Sequence, residues 1–109
     1  MNDAAAVIAD RLTELWRRSR PTILERMALL HAACVSLEHD SGDGAARDSG
    51  REAAHKLSGV LGVFGLPRGS EIAASIELLL EPGESLRPDD LSVLRNRIAS
   101  LEAVIASRP

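Results

Sequence analysis

Apolar side chains recur along this sequence at steps of three and four residues, and this spacing limits the folds open to the chain. The clearest run is the set Ile23, Met27, Leu30, Cys34 and Leu37. Such a repeat places apolar side chains on one face of an α-helix, whereas a half-buried strand would alternate with a period of two. No segment alternates over a useful length, so the sequence predicts helices and no strands.

Five amphipathic segments carry this repeat. The first two are separated by Pro21, which is expected to interrupt or kink a helix and which suits the first turn of the next one. Gly65 and the stretch 81–83 are expected to end later helices, because glycine and proline close helical runs. The predicted helices cover residues 3–18, 22–38, 44–64, 67–80 and 88–107.

The length of the chain and its few aromatic residues narrow the fold further. A chain of 109 residues is expected to form one domain with a modest core. Trp16 and Phe64 are the only aromatic residues, so aliphatic side chains must fill that core, which favours helices over a sheet sandwich. Short connections make consecutive helices antiparallel. The predicted fold is all-α: an antiparallel four-helix bundle over residues 1–109, with an additional N-terminal helix or a kinked first helix.

Several classes of function are disfavoured by composition and by missing motifs. A formal charge of −3 argues against nucleic-acid binding, which relies on a basic face. Cys34 is the single cysteine, so neither a disulfide framework nor a cysteine metal cluster is expected. With no apolar run of membrane-spanning length and no signal-peptide pattern, we expect a cytoplasmic domain without a membrane partner. No P-loop, dinucleotide fingerprint or nucleophile elbow occurs, so no ATP site of its own is expected.

One stretch of the third predicted helix combines a histidine with glycines on the same face. At 100° per residue, His55 points away from the apolar stripe that contains Leu57 and Phe64. Gly59 and Gly62 lie on the histidine face, although glycine inside a helix costs about 0.5–1 kcal/mol relative to alanine. Packing of the apolar face does not explain this cost. The glycines remove side-chain bulk where another protein or a phosphoryl group would approach the helix.

The neighbours of His55 favour an anionic group at its ring. Arg51 and Lys56 lie near enough to offset negative charge on the imidazole. The other two histidines, His31 and His39, are expected to be a core-edge residue and a helix-end cation. The spacing of the three histidines gives no support for a zinc site. His55 is therefore the candidate reactive residue, and no metal ligands are expected.

The sequence from His55 onward reads His-Lys-Leu-Ser-Gly, and Gly62 and Gly65 follow. It resembles the motif of histidine-containing phosphotransfer (Hpt) domains, which reads His-x-Leu-Lys-Gly and then a glycine after several residues. The following stretch, from Leu66 to the pair Ile76-Glu77, is also similar to the next helix of that family. By motif the resemblance covers about residues 45–80, and helix count and order extend it over nearly the whole chain.

The resemblance implies a four-helix bundle whose exposed histidine is phosphorylated on a ring nitrogen. By this resemblance His55 is the phosphoacceptor. Gly59 and Gly62 keep the docking surface free of side chains, and Leu57 anchors the helix in the core. The implied partners are a response-regulator receiver domain, a histidine kinase, or both. Neutral imidazole would attack a phosphoaspartate that the receiver holds with its own Mg²⁺ and lysine, so no cofactor is expected on this chain.

Ser58 stands where the family usually has lysine. Lys56 points about 100° away around the helix and replaces that lysine imperfectly. The Ser58 hydroxyl could hydrogen-bond a phosphoryl oxygen, but it brings no charge. The residues expected to bind the phosphoryl group or the partner are Arg51, Lys56, Ser58, Gly59 and Gly62, with an apolar rim from Leu12, Leu15 and Trp16.

Two other functions compete with phosphotransfer at this stage. A helical interaction or dimerisation module could keep the fold without transferring phosphate, and Ser58 is the residue that favours it. A metal- or ligand-binding bundle has less support from the sequence. The sequence also leaves open whether the last helix packs within the chain or against a second copy, and whether this domain is part of a longer protein.

Overall fold

The computed structural model describes residues 3–109, and these form a bundle of four helices. The helices are α1 (Asp3–His39), α2 (Gly44–Val63), α3 (Pro67–Leu79) and α4 (Pro88–Ala106). Each helix packs against two neighbours: α2 contacts α1 and α3, and α4 contacts α3 and α1. No strand occurs within the described residues. The predicted all-α four-helix bundle is confirmed.

The first helix runs through Pro21 without a break. This corrects the alternative of separate helices over 3–18 and 22–38 and leaves the alternative of a single first helix. Proline inside a helix removes one backbone donor and costs about 3 kcal/mol. The ring of Pro21 is exposed, and the buried face continues in phase from Trp16 to Ile23. Burial on both sides of the proline therefore holds α1 as one helix.

The ends of the other helices follow the sequence predictions. Asp43 caps α2, and its carboxylate accepts a hydrogen bond from the backbone N–H of Ala46 at 3.0 Å. Gly65, just beyond α2, has a φ of +71°, a conformation that glycine adopts without strain. Pro67 and Pro88 begin α3 and α4. The tight turn at Gly65 places α3 directly beside α2.

The core consists of apolar side chains from all four helices. Trp16 packs edge-on against Phe64 with ring centroids 5.3 Å apart, and the Arg108 guanidinium lies 5.4 Å from the Trp16 centroid. Burial, as the main cause, raises the pKa of the Cys34 thiol to about 11. The largest fully buried side chains are Trp16, Ile23, Leu30, Leu37, Leu57, Leu61, Ile76, Leu80, Leu94 and Leu101.

Two buried glycines permit close helix contacts that the sequence did not indicate. A Cβ at Gly50 would lie 3.0 Å from the Cβ of Ala33 and 3.0 Å from Cδ1 of Leu80. A Cβ at Gly69 would lie 3.1 Å from Cδ1 of Leu61. Real Cβ atoms rarely tolerate such distances in a packed core. The glycines therefore let α2 pack closely on α1 and α3.

Candidate functional site

His55 lies on the exposed face of α2. Its side chain is 72% exposed, whereas Leu57, two residues later, is fully buried. Nδ1 of the ring lies 2.9 Å from Oε2 of Glu77 on α3. Because an ionised carboxylate can only accept a hydrogen bond, Nδ1 carries the proton and donates it. The lone pair of the neutral ring is then at Nε2, the other ring nitrogen.

Glu77 is the site residue that the sequence analysis did not identify. It follows His55 by 22 residues, and only the packing of α3 on α2 brings the two side chains together. The sequence carried a partial signal, because Glu77 adjoins Ile76 of the buried stripe. Choosing Glu77 over Glu71 or Glu81 requires the register between the two helices. That register is a tertiary property.

Arg51 shares an open cleft with His55 and Glu77. The cleft has a volume of about 410 Å³ and is also lined by Asp48 and Glu52. Nε of Arg51 is buried and has no hydrogen-bond partner within residues 3–109. Nη2 of Arg51 is 3.9 Å from the Asp48 carboxylate, which is too long for a hydrogen bond. The side chain is 39% exposed, so its Nη groups, rather than the buried Nε, are the donors that can reach an anion in this cleft.

Lys56 is directed to a different cleft, between α2 and α1. Its ammonium lies 2.9 Å from Oε1 of Glu52, and this hydrogen bond lowers the pKa of the Glu52 carboxyl. Arg26 and Leu29 of α1 line the same cleft as Lys56. Of the two cations predicted beside His55, the structure places Arg51 in the cleft of the imidazole.

Ser58 joins α2 to α3. Its hydroxyl donates a hydrogen bond to the backbone carbonyl of Ser70 at 3.1 Å, and the Ser70 hydroxyl donates to the carbonyl of Ser58 at 2.7 Å. A contact between Ser58 and a phosphoryl oxygen, as predicted from the sequence, would require its hydroxyl to leave Ser70. In this structure Ser58 instead holds α3, and with it Glu77, against α2.

Gly59 and Gly62 leave the surface of α2 bare on the side of His55. A Cβ at Gly59 would meet nothing within 4 Å, and a Cβ at Gly62 would touch the Ser70 hydroxyl at an ordinary 3.6 Å. Packing within the described chain therefore requires neither glycine, in contrast to Gly50. Each glycine lowers the stability of the helix relative to alanine, and packing within the fold does not explain why α2 carries them.

Of the three residues of the first helix that were predicted to form an apolar rim, the structure buries one and leaves the other two exposed or half-buried. Trp16 is 1% exposed and packs in the core, so it cannot belong to a docking surface. Leu15 is 45% exposed and Leu12 is half-buried. Trp16 contacts Phe64, so this part of α1 lies near the C-terminus of α2, about 12 Å along the helix axis from His55. Leu29 is 49% exposed in the Lys56 cleft and lies closer to the histidine.

A metal centre has no support among the described residues. Within residues 3–109, no group of three or more His, Cys, Asp or Glu side chains could hold a metal ion. His31 pairs with Glu102 of α4 at 2.6 Å, and His39 is the last residue of α1. The three histidines are therefore separate in space as well as in sequence.

Two comparisons with known proteins found a match. A family model described as "Hpt domain" matches residues 11–104, which include His55 and most of the bundle. Protein RcaC from Microchaete diplosiphon is 30% identical over 91 residues, which are 84% of this chain and 14% of that relative. The chain thus spans a small part of the length of that protein. No solved structure gives a significant match.

Proposed function

Because the chain belongs to the Hpt domain family, we propose that it carries a phosphoryl group on Nε2 of His55. Hpt domains serve histidine phosphotransfer in two-component phosphorelays, and they interact with receiver domains or kinases. The observation that carries this proposal is the geometry of His55. Its exposed ring stands beside two glycines, and Glu77 engages Nδ1 at 2.9 Å.

Glu77 determines which ring nitrogen reacts. With the proton on Nδ1, the lone pair of Nε2 is free to attack the phosphorus of a phosphoaspartate. The Nε2–P bond forms as the P–O bond to the aspartate breaks, and the electron pair leaves with the aspartate carboxylate. The ring becomes a phosphoimidazolium that keeps its Nδ1 proton. The Glu77 carboxylate stabilises the new positive charge through the same hydrogen bond.

Arg51 is the residue that we assign to the phosphoryl oxygens. A guanidinium presents several donors in a plane that suits a phosphoryl group. Arg51 lies one helical turn before His55 in the shared cleft, and its Nη2 is 3.9 Å from the Asp48 carboxylate, too far for a hydrogen bond. The family lysine would lie one turn after the histidine, where this chain has Ser58. We infer that in this chain the cation for the phosphoryl group lies one turn before His55, whereas in the family it lies one turn after the histidine.

The partner class that we propose is a receiver domain. Gly59 and Gly62 leave room for a second protein beside His55, and the cleft of Lys56 and Leu29 extends the surface onto α1. The receiver would hold the phosphoaspartate and supply Mg²⁺ and a lysine to the transferring group. Nucleic acid and membranes are not partners in this proposal. The described residues contain no helix long and apolar enough to cross a membrane, and a cytoplasmic location stays a prediction.

A non-transferring interaction module is the second candidate. It is favoured by Ser58, because its hydroxyl is committed to Ser70 where the family usually supplies a lysine. Such a module would keep the docking surface of α2 and α1. It would form no phosphohistidine, so the two functions differ in a measurable product.

Transfer from a phosphorylated receiver domain separates the two functions. The wild-type chain is expected to gain an acid-labile, base-stable label, and His55→Gln is expected to gain none. His31→Gln is the matched control, because His31 is also an exposed helix residue that is hydrogen-bonded to a glutamate. This control should keep the label. Label on His55→Gln, or no label on a wild-type chain that binds the receiver, would overturn the proposal.

A further inference from the structure

Ser70 of α3 and Ser58 of α2 are joined by a reciprocal pair of hydrogen bonds. Each hydroxyl donates to the backbone carbonyl of the other residue, at 2.7 Å from Ser70 and at 3.1 Å from Ser58. Both side chains are half-buried. By contrast, the hydroxyl of Ser75 donates to the carbonyl of Ile72 within α3 itself. The Ser58–Ser70 pair thus connects two helices, whereas Ser75 bonds only within its own.

Ser70 and Glu77 lie on the same side of α3. They are seven residues apart, and two turns of an α-helix return to within about 20° of the same direction. The helices α2 and α3 are antiparallel, since Ser58 meets Ser70 and the earlier His55 meets the later Glu77. Side chains lean towards the N-terminus of their own helix, so His55 and Glu77 lean towards each other. A rotation of α3 at Ser70 would therefore also turn Glu77 away from the imidazole.

The buried face of α3 has little bulk with which to fix that rotation. Its buried residues are Gly69, Ala73 and Ile76, and two of these have the smallest side chains of all. Gly69 lets α3 approach Leu61 of α2 closely, which brings the neighbouring Ser70 within hydrogen-bonding distance of α2. Hydrogen bonds depend on direction, whereas apolar burial does not. The serine pair is therefore a contact that can orient α3 about its own axis.

We propose that Ser70 is a positioning residue for phosphotransfer, and that it acts on His55 through Glu77. Its hydrogen bonds with Ser58 hold the Glu77 carboxylate at Nδ1 of the imidazole, so that the proton stays on Nδ1 and the lone pair on Nε2. When the pair is broken, Glu77 leaves Nδ1 for part of the time, and the proton is then shared between both ring nitrogens. The effect on transfer rests on the proposed function of His55, whereas the effect on the tautomer does not.

The tautomer of His55 in the unphosphorylated chain tests this proposal without any phosphotransfer. Proton–nitrogen spectra of the whole chain, at a pH where the ring is neutral, show which ring nitrogen carries the proton. The wild type is expected to carry it on Nδ1. In Ser70→Ala the chemical shifts of Nδ1 and Nε2 should move towards each other, because both tautomers are populated. The ring of His31, which pairs with Glu102 between α1 and α4, should not change.

Two further variants separate the lost hydroxyl from a general change of α3. Ser75→Ala also removes a serine hydroxyl from α3, at a position nearer to Glu77 in the sequence, and it should leave the His55 shifts unchanged. Ser70→Thr keeps the hydroxyl, and its extra methyl group has room beside Gly62, so the wild-type shifts should remain. Unchanged shifts in Ser70→Ala, or equal changes in Ser75→Ala or Ser70→Thr, would overturn the proposal.

The rate of transfer from a phosphorylated receiver domain tests the consequence for function. Ser70→Ala should lower the rate constant at saturating receiver by about threefold or more, because fewer molecules have the lone pair on Nε2. The receiver concentration at half-maximal rate should change by less than about twofold, since the lost hydroxyl bonds within the chain. A wild-type rate in a Ser70→Ala chain with an altered tautomer would overturn the positioning role. No label on the wild type would instead overturn the proposed function, and the tautomer result would stand separately.

Discussion

The imidazole of His55 has one ring nitrogen engaged by Glu77 and the other free towards solvent. The hydrogen bond fixes the tautomer and the ring orientation, which leaves Nε2 as the nucleophilic nitrogen. Arg51 adds positive charge in the same cleft without closing it. The site therefore offers a nucleophile and one cation, and it leaves the rest of the chemistry to a partner.

Arg51 and Lys56 are predicted to differ in their effect on phosphotransfer. Arg51→Gln should lower the rate of transfer from a phosphorylated receiver by about tenfold, since one hydrogen bond to a charged group contributes about 1.5 kcal/mol or more. Lys56→Gln should change the rate by less than about threefold, because Lys56 does not line the cleft of His55 and its ammonium is paired with Glu52. Rapid-quench kinetics at saturating receiver measures both. A larger loss for Lys56→Gln than for Arg51→Gln would contradict the assignment.

The site could be predicted from the sequence only where its residues share one helix. His55, Gly59, Gly62 and Arg51 lie on one face of α2, and helical spacing alone groups them. Glu77 lies on another helix, so its contact with His55 depends on the register of α3 against α2, which no local pattern encodes.

One face of α2 packs in the bundle and the opposite face carries the site, and each face has a glycine with a different role. Gly50 is buried where α2 meets α1 and Leu80, and a Cβ there would lie only 3.0 Å from Ala33 and from Leu80. Gly59 is on the opposite, open side. The sequence analysis explained the exposed glycine from its face but gave no role to the buried one, because close approach of helices depends on tertiary packing.

Alanine substitutions at these two glycines are predicted to have opposite effects on stability. Gly59→Ala should raise the free energy of unfolding by about 0.5–1 kcal/mol, because alanine favours the helix and its Cβ meets open space. Gly50→Ala should lower it by about 1–3 kcal/mol through overpacking against Ala33. Urea unfolding followed by circular dichroism measures both changes. Loss of stability in Gly59→Ala would mean that this face is not open.

In the first helix, tertiary packing overrides the tendency of a proline to end a helix. Pro21 predicts a break by its own chemistry, but the apolar stripe keeps its phase from Trp16 to Ile23. Burial of Trp16 before the proline and of Ile23 after it offsets the cost of one proline. The ends of α2, α3 and α4 were predictable, because Gly65, Pro67 and Pro88 act through local backbone geometry.

Three features follow one another along the long axis of the molecule. The largely exposed residues 3–15 of α1 extend from one end of the bundle, and the His55 cleft opens midway along α2. At the other end Arg47 donates hydrogen bonds to the backbone carbonyls of Leu80, Glu81 and Glu84, which fixes the connection between α3 and α4. The fold class followed from the periodicity of the sequence, but the overhang of α1 did not, since the sequence left open whether residues 3–38 form one helix or two.

The most direct test of the central claim is an NMR measurement of the histidine rings after phosphorylation by a receiver domain. Proton–nitrogen spectra with phosphorus coupling identify both the modified residue and the modified nitrogen. We predict phosphorus on Nε2 of His55, a proton kept on its Nδ1, and unmodified rings at His31 and His39. Phosphorus on Nδ1 of His55, on another histidine, or on no histidine of a chain that binds the receiver would contradict the account.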